Sequence, residues 1–383
     1  MAKLGDVFNL QMGKTPARAN LAYWTGGTNE WVSIADLSSY EKYVEGTKEK
    51  ITDLAVQESG IKKIPANTVI MSFKLSLGKT AITKTPAYTN EAIMAFLPSG
   101  KYDVCPDYFF YLFSGKDWSE GTNRAVMGAT LNKATLRNIE IDVPPLDEQR
   151  RIAAILDKVT DLINKRRAQL DKLDLLVKSR FVEMFGDPTC STRWPTKNLS
   201  QLGELNRGVS KHRPRNDPAL LGGPYPLIQT GDVSNSDLYI VEHSSSYSEL
   251  GFAQSRFWKA GTLCITIAAN IAQTSILTFD TCFPDSIVGF IPGKETNAIF
   301  MHYWFSFFQK ILEEQAPQVA QKNINLKILN ELEVIVPPND LQQRFEKFVI
   351  YQYKIKNSLK KSLKELDLMQ KTLMQQHFKS TNT

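Results

Sequence analysis

Two stretches of the chain carry apolar residues in steps of three and four over far more turns than a globular helix needs. In the first, Ile152, Ile155, Val159, Leu162, Leu170, Leu173, Val177, Phe181 and Met184 define one face, interrupted at Arg166. Neither Gly nor Pro occurs from Leu146 to Phe185, and Gly186, Asp187 and Pro188 supply the stop. The second stretch runs through Leu341, Phe345, Phe348, Gln352, Ile355, Leu359, Leu363, Leu366 and Leu373, again without Gly or Pro. Each predicts a helix of about 40 residues, on the order of 60 Å at 1.5 Å per residue. So long a helix leaves its stripe in water unless a partner covers it. Because a globular segment returns the chain between the two stripes, they predict an antiparallel intramolecular pair. The two globular domains then sit near opposite ends of a rod, related by a pseudo-two-fold axis. Dimerisation between chains through either helix is the alternative.

The segments between the helices repeat one grammar. Thr68–Ser72, Thr80–Thr83, Leu263–Ile267 and Ser275–Thr278 are short β-branched or alternating runs punctuated by Gly, Pro and Asn, as strands and turns are. Tyr108–Phe113 and Met301–Phe308 predict a buried aromatic helix in each half, better explained by core packing than by base stacking. The chain also resembles itself at a lag of about 193–198 residues. Leu4-Gly5-Asp6 recurs as Leu202-Gly203-Glu204, and Ala35-Asp36-Leu37 as Gly231-Asp232-Val233. The run from Pro65 to Ser72 is echoed from Lys259 to Thr266, and Ile139–Pro145 by Leu332–Pro338. Shared order at a near-constant lag predicts a duplicated α/β (α+β) architecture. Its parts are a globular domain over 1–143, a spacer helix over 144–186, a second domain over 187–336 and a second spacer helix over 337–383.

Composition narrows the class. With 42% hydrophobic, 22% charged and 10% aromatic residues the chain is neither a disordered tail nor a membrane protein. Its apolar runs are too short to span a bilayer and its N-terminus has no apolar leader segment. Four scattered cysteines with no C-x-x-C pair, and four histidines, argue against a zinc site and fit reduced thiols in a cytoplasm. The net charge is +6, divided as +1, +2, −2 and +5 over the four segments. Both globular segments are thus nearly neutral, so any anion-binding surface on them is local.

Enzyme signatures are missing. Neither Pro-Pro pair has the Asn or Asp before it and the aromatic after it that an adenine methyltransferase uses on a flipped base. Gly78-Lys79-Thr80 has Phe73 where a phosphate-cradling loop needs its first glycine. No lysine has an acidic residue two positions before it, as a metal-dependent nuclease of the PD…(D/E)-x-K kind requires. A non-catalytic chain is expected. Two similar domains on a stiff spacer have the shape of a ruler, and duplex DNA advances about 3.4 Å per base pair. Such a rod would place two readers on separated half-sites.

Val143-Pro144-Pro145-Leu146-Asp147-Glu148-Gln149-Arg150-Arg151-Ile152 resembles the conserved region of type I restriction–modification specificity subunits. Val336-Pro337-Pro338-Asn339-Asp340-Leu341-Gln342-Gln343-Arg344 is its degenerate second copy, with Leu341 near the place of the Glu. The Leu-Gly-Asp/Glu start of each half, Gly78-Lys79-Thr80 and Gln321-Lys322-Asn323-Ile324-Asn325 are similar to that family's target-recognition domains. The resemblance spans the whole chain. It implies a subunit without chemistry that reads a bipartite asymmetric DNA site. It also implies two adenine N6-methyltransferase subunits and two ATP-dependent translocase–nuclease subunits as partners, with S-adenosylmethionine and ATP bound by them. A related system with a fused methyltransferase–nuclease partner, and a coiled-coil scaffold that binds no DNA, are the alternatives.

Phosphate and base contacts call for Lys, Arg and small polar donors. The candidates are Lys14, Thr15 and Arg18 in the first domain, matched by Lys211, His212, Arg213 and Arg215 in the second. Lys74, Lys79 and Thr80 pair by lag with Ala268, Gln273 and Thr274. Arg124 and Lys133 flank Gly128, with Gln321, Lys322 and Asn323 in the equivalent loop. Gln229 and Thr230 are read as capping a turn. Arg166, Arg167 and the lysines at 354, 356, 360, 361 and 364 are either solvated helix faces or contacts to spacer phosphates or partner acids.

Overall fold

The computed structural model describes residues 1–378 apart from 75, 119–122, 126–127, 191–192, 213, 269–270 and 316–323. The chain forms two compact units: Met1–Arg166 with the end of the chain from Ser362, and Arg167–Lys361. In the first unit β1 (Phe8–Met12), β2 (Tyr43–Val44), β3 (Val69–Ser72), β4 (Thr80–Thr83) and β5 (Ile93–Pro98) form a sheet in the order β1-β5-β3-β4-β2. Helix α1 (Pro106–Gly115) and the start of α2 (Leu146–Phe185) cover one face. In the second unit β6 (Gly203–Arg207), β7 (Tyr239–Ile240), β8 (Leu263–Thr266), β9 (Thr274–Leu277) and β10 (Ile287–Pro292) repeat that order as β6-β10-β8-β9-β7. The covering helices there are α3 (Ala298–Gln315), the end of α2 and the start of α4 (Asn339–Phe378). Registers repeat as well: Leu10 faces Phe96 as Leu205 faces Phe290, and Val69 faces Ile82 as Leu263 faces Ile276. The duplication read from the sequence is a duplication of topology.

The central strands are continuous apolar runs because both of their faces are buried. Val69, Met71, Met94 and Phe96 point to the helices, while Ile70, Ile93 and Ala95 pack into a second core with Val32, Leu37 and Ile64. The second unit keeps this layout and redistributes its volume. Trp258 lies so close to Gly289 that a Cβ there would come within 2.4 Å of the indole. The positions matching these two by lag are Ile64 and Ala95, a smaller side chain facing a larger one. Bulk gained at one position is offset in part by bulk given up at its neighbour.

The long helices meet within each unit. In the second, Phe181 and Phe185 place their rings 5.4 and 5.5 Å from Phe345, and Lys356 is paired with Asp174. Position rises along α2 as it falls along α4, so these segments are antiparallel. In the first unit Gln370 donates to the Thr160 hydroxyl at 2.8 Å, and Phe378 packs on Tyr108. Every stripe position read from the sequence is turned inward or half-buried except Leu162, which is 50% exposed. Ile163, 3% exposed, takes its place, because 3.6 residues per turn carries a strict seven-residue pattern about 20° off the seam per heptad. Half-buried charge fastens sheet to helix. Lys42 lies between Asp107 of α1 and Asp157 of α2, and Asp237 binds Lys356 and Lys360 of α4. These lysines hold the Asp107 and Asp237 carboxyls below the usual carboxylate range against the opposing effect of burial.

Each long helix is stapled to its domain by a buried glutamine. Gln149 Oε1 accepts from the Cys105 N–H at 2.9 Å, and its Nε2 donates to the carbonyls of Asp103 and Pro144 at 2.9 and 2.8 Å. Gln342 does the same with the carbonyls of Glu295 and Pro337, both at 2.9 Å, and accepts from the Thr296 hydroxyl. Glu148, the residue missing from the second copy, is half-buried and paired with its neighbour Arg151 rather than with the staple, so its replacement by Leu341 leaves the junction intact. No helix among the described residues is long and apolar enough to cross a membrane.

Two outcomes follow from this packing. Gln149→Leu strands three backbone groups at about 1–3 kcal/mol each, less what local relaxation recovers. Urea unfolding should show a loss of about 3 kcal/mol, and a loss below 1 kcal/mol would contradict the staple. His302 of α3, half-buried and bonded to the Thr274 hydroxyl at 3.0 Å, has its imidazole pushed down to about 4, first of all by burial. Its folded-state value lies below its unfolded value, so above pH 6.5 it contributes nothing to the pH dependence. As pH falls from 6.5 toward 4 the unfolded chain takes up the proton first and stability is lost. At pH 5 the loss relative to pH 7.5 should be about 1–2 kcal/mol smaller in His302→Asn than in the unsubstituted chain.

Candidate nucleic-acid interface

The loop after the first sheet strand is built alike in both domains. It opens on Gly13 or Gly208, whose N–H donates to the carbonyl of Ile93 or Ile287 at 3.1 and 2.8 Å. A Cβ at Gly13 would lie 2.3 Å from the carbonyls of Thr89 and Asn90, and at Gly208 2.3 Å from those of Phe283 and Pro284. Only glycine lets the loop cross the turn before the last sheet strand so closely. Beyond it, the Lys14 N–H donates to Thr89 and its carbonyl accepts from the Trp31 indole at 3.1 Å. Lys211 and His212 donate their N–H groups to the Gln254 carboxamide oxygen at 2.5 and 3.0 Å. The backbones of both loops are fixed from beneath.

Their side chains meet carboxylates. Thr15 donates to Glu91, and Arg18 forms a two-pronged pair with Glu49 while lying 3.9 Å above the Trp24 ring. Arg215 reaches Asp285 at 2.5 Å, and Arg207 donates from two nitrogens to the Asp285 carbonyl at 3.0 and 2.7 Å. Glu91 and Asp285 occupy the same place, two residues before β5 and β10. The Lys14 ammonium is bound to the Ser59 carbonyl, and the His212 ring to Asp217 at 3.0 Å. The Arg18 and Arg215 pairs are half-exposed, and such pairs contribute about 0–1 kcal/mol. They organise the loops without locking them.

The loop joining the two middle strands is the second shared device. Ser72 and Thr266 each accept a backbone N–H through the hydroxyl, from Lys79 and Gln273 respectively, both at 3.1 Å. Gly78 and Ala272 take the left-handed turn, with φ of 80° and 58°. Lys74 is half-buried and Lys79 exposed. Thr80 and Thr274 are buried, their hydroxyls spent on the Gly78 carbonyl and on His302. Gln273 is half-buried. Arg124 lies on the strand Asn123–Ala125, paired with Gly128–Thr130, and Lys133 is exposed at the start of the helix Lys133–Asn138. Arg213, Gln321, Lys322 and Asn323 lie outside the described residues.

In the second domain two concavities of about 260 and 300 Å³ adjoin along Arg215, Ala268 and Ser286. Gln229, Thr230 and Ser210 border the first, Arg207, Asp285 and Asn325 the other. Gln229 is also the N-cap of the helix Thr230–Asn235, in a reciprocal capping box with Asp232. Sequence reasoning missed Arg207, Gln254, and the matched acids Glu91 and Asp285. The signal that could have located these loops is the recurrence of Gly13 as Gly208 at the common lag, and nothing local singles out the acids or Gln254.

Comparison with known proteins decides the family. The model of the type I restriction modification DNA specificity domain matches residues 1–172 and 192–367. The chain belongs to this family. Another type I specificity chain, the MjaIX restriction enzyme specificity subunit of Methanocaldococcus jannaschii, is 32% identical over 382 residues, spanning 91% of this chain and 85% of its own. The fold is shared with the type I S subunit from M. genitalium at a TM-score of 0.60 and 14% identity, over 99% of this chain and 96% of that one. It is also shared with a chain from a structure of type I R-M complex assembly and conformational transition. There the TM-score is 0.62 at 17% identity, over 98% and 96%.

Within this specificity fold the two leading glycines are separable from glycines in open space. Gly208→Ala must move the loop off two backbone oxygens and should lower stability by about 2 kcal/mol or more. Gly231→Ala, in a helix with nothing within 4 Å of the new Cβ, should be neutral or stabilising by up to about 1 kcal/mol. Thermal melts of the two variants check the contrast, and equal shifts would refute the close crossing.

Proposed function

We propose that this chain is the sequence-reading, non-catalytic subunit of a type I complex, with each of its two globular domains reading one half of a split DNA target. The paired helices α2 and α4 set the gap between the halves and dock the methyltransferase subunits. Two methyltransferase and two translocase–nuclease subunits complete the assembly and bring S-adenosylmethionine and ATP. The observation that carries this reading is the duplicated frame: one strand order, one glycine-pinned loop and one glutamine staple, each present twice, in a family of DNA specificity domains. The DNA-contacting side chains are drawn from the first loops, with Lys14, Arg18, Lys211 and Arg215, and from the middle-strand loops, with Lys74, Lys79 and Gln273.

Methylation mapping tests the reading. The chain is co-expressed with a methyltransferase subunit of a type I system, its own where one is encoded with it, and host DNA is sequenced by a method that registers N6-methyladenine. One split motif with methylated adenines on opposite strands, absent without this chain, is the expected result. Inserting one heptad into both helices lengthens the pair by about 10 Å. That should widen the gap by about three base pairs and leave both half-sites unchanged. Methylation that ignores the chain, or a gap that ignores the insertion, would overturn the respective parts.

A further inference from the structure

We propose that Asp285 is a built-in stand-in for a DNA phosphate, holding Arg215 beside Arg207 where a backbone phosphate of the duplex takes over on binding. The inference rests on the second domain being a DNA reader, and it names the contact site and the residue that guards it.

Both arginines arrive at this one residue, Arg215 at its carboxylate and Arg207 with a two-nitrogen fork at its backbone carbonyl. A guanidinium presents the same planar donor geometry to carboxylate and to phosphate, so the exchange needs no new shape. The space for it is at hand, since both concavities border Arg215 and Ser286, and the second also borders Arg207 and Asp285. The backbone that carries Arg215 need not move. Gly208 pins the loop at its start, Gln254 holds Lys211 and His212, and Asp217 caps the turn Pro218–Leu220 that follows. Only the guanidinium changes partner. The half-exposure of both members of the pair gives a phosphate access to it. The first domain answers with a different acid, Glu49, on an arginine of the equivalent loop, Arg18.

A charge-removal cycle on the full-length chain tests this, with fluorescence anisotropy of a labelled 40-base-pair duplex of random sequence at low salt. Asp285→Asn keeps the backbone carbonyl that holds Arg207 and should tighten duplex binding about three- to tenfold. Arg215→Gln alone should weaken binding, and in that background the gain from Asp285→Asn should be clearly smaller than in the unsubstituted chain. The same gain with and without Arg215 would mean that any lost negative charge suffices, and would overturn the proposal. So would unchanged or weaker binding by Asp285→Asn in a chain whose thermal melt is unaltered. Should that variant fold poorly, Asp285→Ser must show the gain, and its absence there is equally fatal. A starting chain that shows no measurable duplex binding even at low salt would also overturn the proposal, whereas failure of the DNA-reading function itself would show as the absence of any methylated split motif in the mapping above.

Discussion

The junction between sheet domain and long helix depends on one buried side chain used twice. A helix start leaves backbone donors unpaired, and the first proline of each Pro-Pro pair and the loop before the aromatic helix leave carbonyls pointing inward. Gln149 and Gln342 are the groups that can accept once and donate twice in that space. Each ties the loop before the aromatic helix to the first turn of the long helix, and the prolines fix φ at the approach. A glutamate there could not donate to two carbonyls while ionised. The staple therefore explains why Gln recurs in both copies while its acidic neighbour does not.

Given a fixed junction, the remaining frame follows from burial. Sheet strands covered on both faces tolerate exchange of volume between facing positions, as Trp258 with Gly289 stands in for Ile64 with Ala95. They do not tolerate a change in register, which would turn every side chain to the other face. Duplicated halves can thus diverge widely in sequence and keep the same strand order. What diverges freely is what the frame does not constrain: the side chains that the first loops and the middle-strand loops present.

This division sets what the sequence made legible. Periodicity revealed both long helices, the aromatic helices and the main strands, because each is a local pattern repeated over several turns or residues. Leu162 misled because a stripe read in threes and fours does not fix which of two adjacent apolar residues faces the partner. The loops were legible only as positive charge. That Arg18 belongs with Glu49, Arg215 with Asp285, and Lys211 with Gln254 depends on contacts between residues about 30 to 80 positions apart, and no local pattern encodes them. The glutamines stood inside the recognised motif, yet their role emerged only from the carbonyls that surround them.

The loop acids also resolve a tension in the charge distribution. A reader of DNA that is nearly neutral by domain cannot rely on bulk attraction, and one with unguarded arginines would bind any duplex. Partly exposed carboxylates meet both limits. They contribute little to stability, which leaves them displaceable, and they keep each guanidinium oriented. Loop backbones pinned by Gly13, Gly208 and Gln254 then confine the rearrangement to side chains. Orientation is set by the frame and selectivity by the side chains it presents, which lets one architecture carry two different readers on a single chain.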